Sequence, residues 1–177
     1  IEFISGARVT TAYPRIGGLR ADLPEGWQDR YAAAEARLMR LMKDIDALLT
    51  RNRIFIDRMA DVGVIGPRDA VSWGFSGPCL RSSGVDFDLR KNAPYLVHDR
   101  LEFEVPLGHK GDNYDRYLVR MEEIRQSARI CRQVIRDIPD GPVNVDDWRV
   151  VLPPKEAVYN TIEGMIAHFE NVVFGIR

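Results

Sequence analysis

The sequence predicts a mostly α-helical protein, a bundle of long helices with a small extended section. Two stretches, 22–51 and 112–137, repeat apolar side chains at three- and four-residue steps, as one face of a buried helix requires. A third helical pattern follows Pro153-Pro154. Only two short stretches, 97–105 and 143–152, read as extended.

The totals agree with that class. A chain of 177 residues reads as one domain over 1–177, able to bury roughly two-thirds of its unfolded surface. Its 45% hydrophobic and 29% charged content is that of an ordinary globular protein. A net charge of −1 offers nucleic acid no basic surface. Arginine outnumbers lysine 21 to 4. Either genome base composition or a need for buried or interface ion pairs accounts for that excess. Cys79 and Cys131 form no CxxC and favour a reducing compartment. No run of about 18 apolar residues spans a bilayer. The chain opens on Ile1-Glu2-Phe3-Ile4 and closes on Val172-Val173-Phe174-Gly175-Ile176-Arg177, so both ends read as the interior of a longer protein.

In chain order, a short helix end leads to the tight turn Gly17-Gly18. Asp22 and Pro24 are expected to start the first long helix, carrying Trp27, Tyr31, Ala34, Leu38, Leu41, Met42, Ile45, Leu48 and Leu49 as a core stripe through about Arg51. A shorter helix over Arg53–Met59 stops near Gly63, and Gly66-Pro67 opens another with Ala70, Val71 and Trp73. The stretch Gly74–Tyr95 reads as an irregular loop. After the alternating segment Val97–Val105, the turn 109–112 enters a second long helix, Asp112–Asp137, whose Arg120, Arg125, Arg129, Arg132 and Arg136 suit the negative end of its dipole. Val143–Leu152 is expected to be extended and to pair with Val97–Val105. The last helix carries Val158, Thr161, Ile162, Met165, Ile166 and Phe169.

Gly74–Tyr95 holds the most demanding local chemistry: glycines and prolines near its start, then Asp86, Asp88, Arg90 and Lys91 in quick succession. It reads either as a packed segment whose charges pair with one another, or as a rigid loop presenting Arg81, Asp86, Asp88 and Arg90 to a partner. Arg8, Tyr13 and Arg15 around the Gly-Gly turn read as a surface turn or as an anion or interface site. His98, His109 and His168 lack metal-ligand spacing, and each cysteine reads as a small buried side chain.

Five blocks, SGARVTTAYPRIGGLRADLPEGW, NRIFIDRMADVGVI, GFSGPCLRSSGVDFDLRKNAPYLVHD, FEVPLGHKGDNYDRYLVRMEEIRQSARI and VLPPKEAVYNTIEGMIAHF, resemble in that order the large D-type (49-kDa) core subunit of NADH:quinone oxidoreductase, respiratory complex I. The resemblance covers essentially the whole chain and the middle of that subunit. It implies a helical bundle similar to the large subunit of nickel–iron hydrogenases. It further implies a place in the peripheral arm, on the cytoplasmic side of the bacterial inner membrane. There the B-type core subunit holds the terminal tetranuclear iron–sulfur cluster, and the two subunits enclose the quinone-reduction cavity beside other complex I subunits. The complex uses FMN, iron–sulfur clusters, NADH and quinone. None is expected to be bound by this fragment, which is expected to be inactive alone and prone to self-association. The family's quinone-serving His and Tyr lie upstream of Ile1, so no catalytic residue carries over. Many members have a His where this chain has Thr10, beside the terminal cluster. The resemblance makes Arg8, Tyr13, Arg15, Arg81, Asp86, Asp88 and Arg90 candidates for the interface with the B-type subunit. The alternatives are the large subunit of a membrane-bound nickel–iron hydrogenase, to which DLRKNAPY and GDNYDRYLVRMEEIRQSARI look less close, and a helical scaffold that only binds.

Overall fold

The computed structural model describes residues 1–175, which form two compact units, one built from Ile1–Arg30 with the chain from Pro139 onward, the other from Tyr31–Ile138. Helices dominate, and the one sheet among the described residues has two strands, so the fold is mostly α with a small extended part.

In the first unit, α1 (Glu2–Ser5) ends at Gly6 in a left-handed conformation, and an antiparallel hairpin follows, β1 (Pro14–Arg15) with β2 (Gly18–Leu19). The stretch 143–152 departs from its expected pairing. It forms a bridge between Asn144 and Gly18 instead, because Leu19 donates its N–H to the Val143 carbonyl and Val145 donates to that of Gly17. The last helix is broken in two, α8 (Lys155–Asn160) and α9 (Ile162–Phe174). Thr161 takes extended dihedrals between them and caps α9, its hydroxyl accepting from the Gly164 amide at 3.1 Å while donating to the Ala157 carbonyl at 2.8 Å. A hydroxyl that serves both helix ends lets the chain turn without orphaning either.

The helix α2 (Trp27–Ile45) starts one turn later than Asp22 and Pro24 promise. Asp22 turns back to accept its neighbour's amide at 2.7 Å, and Gly26 adopts φ 71, outside helical space. A π-helical turn, Asp46–Thr50, ends α2. Thr50 fixes that turn to the second long helix: its carbonyl accepts from Tyr114 at 2.6 Å and its hydroxyl lies 2.8 Å from the Tyr117 hydroxyl. The expected core stripe of α2 is mostly uncovered. Met42 is buried, whereas Leu38, Leu41, Ile45 and Leu48 are exposed.

The rest of the second unit comprises α3 (Arg53–Met59), α4 (Pro67–Ser72), α5 (Gly77–Ser82), α6 (Leu89–Asn92), a 3-10 turn (His98–Arg100) and α7 (Asn113–Asp137). The stretch 74–95 is thus not a structureless loop. Pro78 sits in the first turn of α5, where a fixed φ and a missing N–H cost nothing, and Asp88 caps α6. Nor is 97–105 a strand. Glutamines of α7 satisfy its backbone: Gln133 accepts from the Glu102 amide (2.8 Å) and donates to its carbonyl (2.7 Å), and Gln126 accepts from the Glu104 amide (3.1 Å). The cysteines also depart from expectation, Cys79 being half-buried and Cys131 exposed.

The start of α7 is the tightest junction. Asp112, almost wholly buried, accepts amide hydrogens from Asp61 and Asp115, both at 2.8 Å. Burial works against its charge, and these N–H groups outweigh it, holding the pKa below the ordinary carboxylate value. Gly111 (φ 69) lets the backbone pass Ile65 and Ser83, and a Cβ there would overlap the Ile65 carbonyl. Gly111→Ala is therefore expected to destabilise the chain by about 2 kcal/mol or more, from left-handed strain plus the clash. A urea midpoint equal to that of wild type would refute this junction.

Candidate functional site

The sequence-predicted residues gather in two places. The first is the segment 8–15 with its hairpin. Ser5 is buried and its carbonyl accepts from Arg20 Nη1 at 3.2 Å, which ties the hairpin's outgoing arm to α1. Tyr13, half-buried, donates its hydroxyl to the Ala21 carbonyl at 2.8 Å, and the Arg20 amide donates to the Tyr13 carbonyl at 2.8 Å. Arg8, Thr10 and Arg15 are exposed. Arg8 reaches Glu2 at 3.4 Å, but both side chains lie in water, where such a pair contributes little. The result is a held backbone with outward-facing arginine and threonine side chains.

The second place is a closed cluster of two cations and two anions. Arg81 of α5 is 6% exposed. Its Nη1 donates to the Phe87 carbonyl (3.1 Å) and stands 3.5 Å from Asp88; its Nη2 lies 2.5 Å from Glu123 Oε1, an ion pair outside hydrogen-bond alignment. Arg90 meets Asp88 side-on, with Nε at 3.0 Å from Oδ1 and Nη2 at 2.6 Å from Oδ2, and reaches Glu123 at 3.4 Å. Its guanidinium also lies over the Phe103 ring, 4.8 Å from the centroid, with Lys91 at 4.6 Å. The bonds from Arg90 hold the Asp88 pKa below the ordinary carboxylate value against the opposing effect of burial, and the same bonds raise that of Arg90. Asp86 stays outside the cluster and is exposed.

Glu123 is the member that sequence reasoning misses, since a charged residue beside an apolar stripe reads as an outer face of the helix. A signal for it exists: Val119, Glu123 and Gln126 follow one another at helical steps, and both neighbours are buried.

Cys79 and Cys131 lie in different helices, and among the described residues no three His, Cys, Asp or Glu side chains converge.

Truncating one member of a buried ionic cluster strands the others. Arg81→Met is expected to cost about 3–5 kcal/mol, and adding Glu123→Leu to recover part of that. Equal losses in the single and double variants, by urea denaturation, would show that the two side chains are not coupled. Because the folded-state pKa of Asp88 lies below its unfolded value, its contribution is full above the unfolded value and fades as pH falls through the folded one. Asp88→Asn should flatten the acid limb of stability against pH, and an unchanged limb would remove Asp88 from that linkage.

Comparison with known proteins matches this sequence to one family. The model described as respiratory-chain NADH dehydrogenase, 49 Kd subunit, matches residues 1–177. The D-type NADH-quinone oxidoreductase subunit of Myxococcus xanthus (strain DK1622) is 53% identical over 174 residues, covering 98% of this chain and 42% of that protein. The corresponding subunit of Pelobacter propionicus is 50% identical over 174 residues, 98% of this chain and 43% of that protein. That of Methylacidiphilum infernorum is 50% identical over 176 residues, 99% and 42%. The chain thus spans about two-fifths of the length of these relatives. It belongs to the 49-kDa subunit family of the respiratory-chain NADH dehydrogenases.

Proposed function

We propose that this chain is a core part of an NADH:quinone oxidoreductase, in which it shapes the quinone-reduction site and carries no electrons itself. In this reading the exposed segment Arg8–Arg15 lies against the B-type subunit, which holds the terminal iron–sulfur cluster, on the cytoplasmic side of the membrane. Asp86 and Phe87, exposed on the turn held by buried Arg81 and Asp88 and half-buried Arg90, offer that subunit a contact of their own. The observation that carries the proposal is the family match over the whole chain, together with relatives named as NADH-quinone oxidoreductase subunits. A held backbone with exposed Arg8, Thr10 and Arg15 is what an interface segment needs. Among the described residues no helix is long and apolar enough to cross a membrane.

Thr10 gives the proposal its test. Threonine does not ionise, whereas an imidazolium close to a cluster favours the reduced, more negative state and makes the potential pH-dependent. Thr10→His in the assembled enzyme is expected to raise the terminal cluster's midpoint at pH 6 and to introduce a pH slope. Redox titrations at pH 6 and 8 that coincide with wild type would place Thr10 away from the cluster.

The uncovered apolar faces support the same reading. In α9, Ile162, Ile166, Phe169 and Val173 are each more than half exposed, and such surface is normally covered by a partner. The isolated chain is expected to self-associate, and Ile166→Glu with Phe169→Glu to reduce that in sedimentation velocity. A monomer at high concentration would show that these faces need no cover.

A further inference from the structure

Two strands of two residues each do not hold a hairpin by themselves, since even longer isolated hairpins are marginal in water. The support comes from a stretch more than a hundred residues away. The Leu19 amide is shared between the Val143 carbonyl (3.0 Å) and Asn144 Oδ1 (3.1 Å), and the Val145 amide donates to the Gly17 carbonyl (2.9 Å). Gly17 and Gly18 make so close an approach possible: a Cβ on Gly17 would overlap Val151, and one on Gly18 would overlap the Val143 carbonyl and Asn144. The supporting stretch is anchored in turn. Val150 and Val151 both donate to the Asp147 carbonyl at 3.0 Å, and Asn171 of α9 donates its side-chain amide to the Trp148 carbonyl at 2.6 Å. A continuous chain of polar contacts and close packing therefore runs from α9 through 143–151 to the hairpin and the segment preceding it.

We infer that the stretch 143–151 sets the position of the Arg8–Arg15 segment, with Asn144 and Asn171 as positioning residues. Neither side chain belongs to the exposed surface of that segment, and each acts through backbone it holds. Placement against a redox partner rests on the function proposed above. Small displacements of a polar segment beside a cluster change the dipoles and hydrogen bonds that it feels, so loosening this support alters the cluster's spectrum without removing any group near it.

The test uses the full-length subunit in the assembled enzyme, with Asn144→Ala, Asn171→Ala and Gly18→Ala. Loss of the Asn144 acceptor is expected to speed amide exchange at Leu19 and Arg20 about tenfold, the effect of roughly 1.4 kcal/mol. The EPR g-values of the reduced terminal cluster are expected to shift, most for Gly18→Ala and least for Asn171→Ala. Should Gly18→Ala fail to assemble, Asn144→Ala decides, because the Val143 carbonyl remains as an acceptor. Unchanged exchange and unchanged g-values in Asn144→Ala and Asn171→Ala, with Thr10→His still moving the midpoint, overturn the positioning role and leave the proposed function standing. Faster exchange with no spectral change in these variants, and no midpoint change in Thr10→His, overturns the placement beside the cluster and leaves only the support of the segment standing.

Discussion

A charge taken out of water must be met by an opposite charge, and Arg81 places that demand at the centre of the second unit. Its answer organises the surroundings. The chain after α5 curls back so that the Phe87 carbonyl and the Asp88 carboxylate face the guanidinium, and α7 supplies Glu123. Asp88 also caps α6, which fixes Arg90; Arg90 and Lys91 lie over Phe103, whose neighbours in sequence are pinned to α7 by Gln126 and Gln133. Charge pairing thus propagates from α5 to α7 by two routes. The apolar core it accompanies is thin, with Met42, Ala70, Leu80, Phe103, Val119, Met121 and Ala128 as its buried members among the described residues. Close backbone passage supplies much of the remaining fit, as where Gly108 and Gly111 donate to the Arg81 and Ser82 carbonyls.

What the sequence made legible was local. The helix over Arg53–Met59, the start of α4 at Pro67 and the entry into α7 after the turn 109–112 each stand where the sequence places them. What it concealed was which partner a segment would choose. Alternation in 97–105 and in 143–152 marks extended backbone, and the two extended stretches invite pairing with each other. The amides of Glu102 and Glu104 found glutamine side chains on α7, and the Val143 carbonyl and Val145 amide found the Gly17-Gly18 hairpin. Nothing in a period of two distinguishes a strand partner from a helix face that carries Gln at heptad spacing. The central stretch misled for a related reason. Gly77 and Pro78 read as breakers, and Pro in a first turn is also a helix start.

The stripes on α2 and α9 are a different case. Their periodicity correctly gives helix, and it leads one to expect a face turned from water, yet Leu41, Leu48, Ile166 and Phe169 stand exposed. Amphipathic pattern records that a face is covered somewhere in the working protein, not by which surface. The relatives are more than twice as long as this chain and carry the name of one subunit of an oxidoreductase, which accords with cover drawn from outside these residues.

The two candidate places differ in how they join sequence to function. The ionic cluster draws its members from 81, 88, 90 and 123, all engaged with one another, so it confers rigidity, while Asp86, Phe87 and Leu89 beside it stay exposed. The hairpin segment does the reverse. Its Leu19 amide is held by Val143 and Asn144 and its Tyr13 hydroxyl by Ala21, while Arg8, Thr10 and Arg15 keep their side chains in the open. In the proposed reading this segment lies beside a neighbour's chemistry, and accurate placement there requires support from behind. Gly17 and Gly18 are where the requirement is strictest, because there the supporting chain approaches closer than any side chain allows. A sequence shows that constraint as two adjacent glycines, and only the fold shows what presses on them.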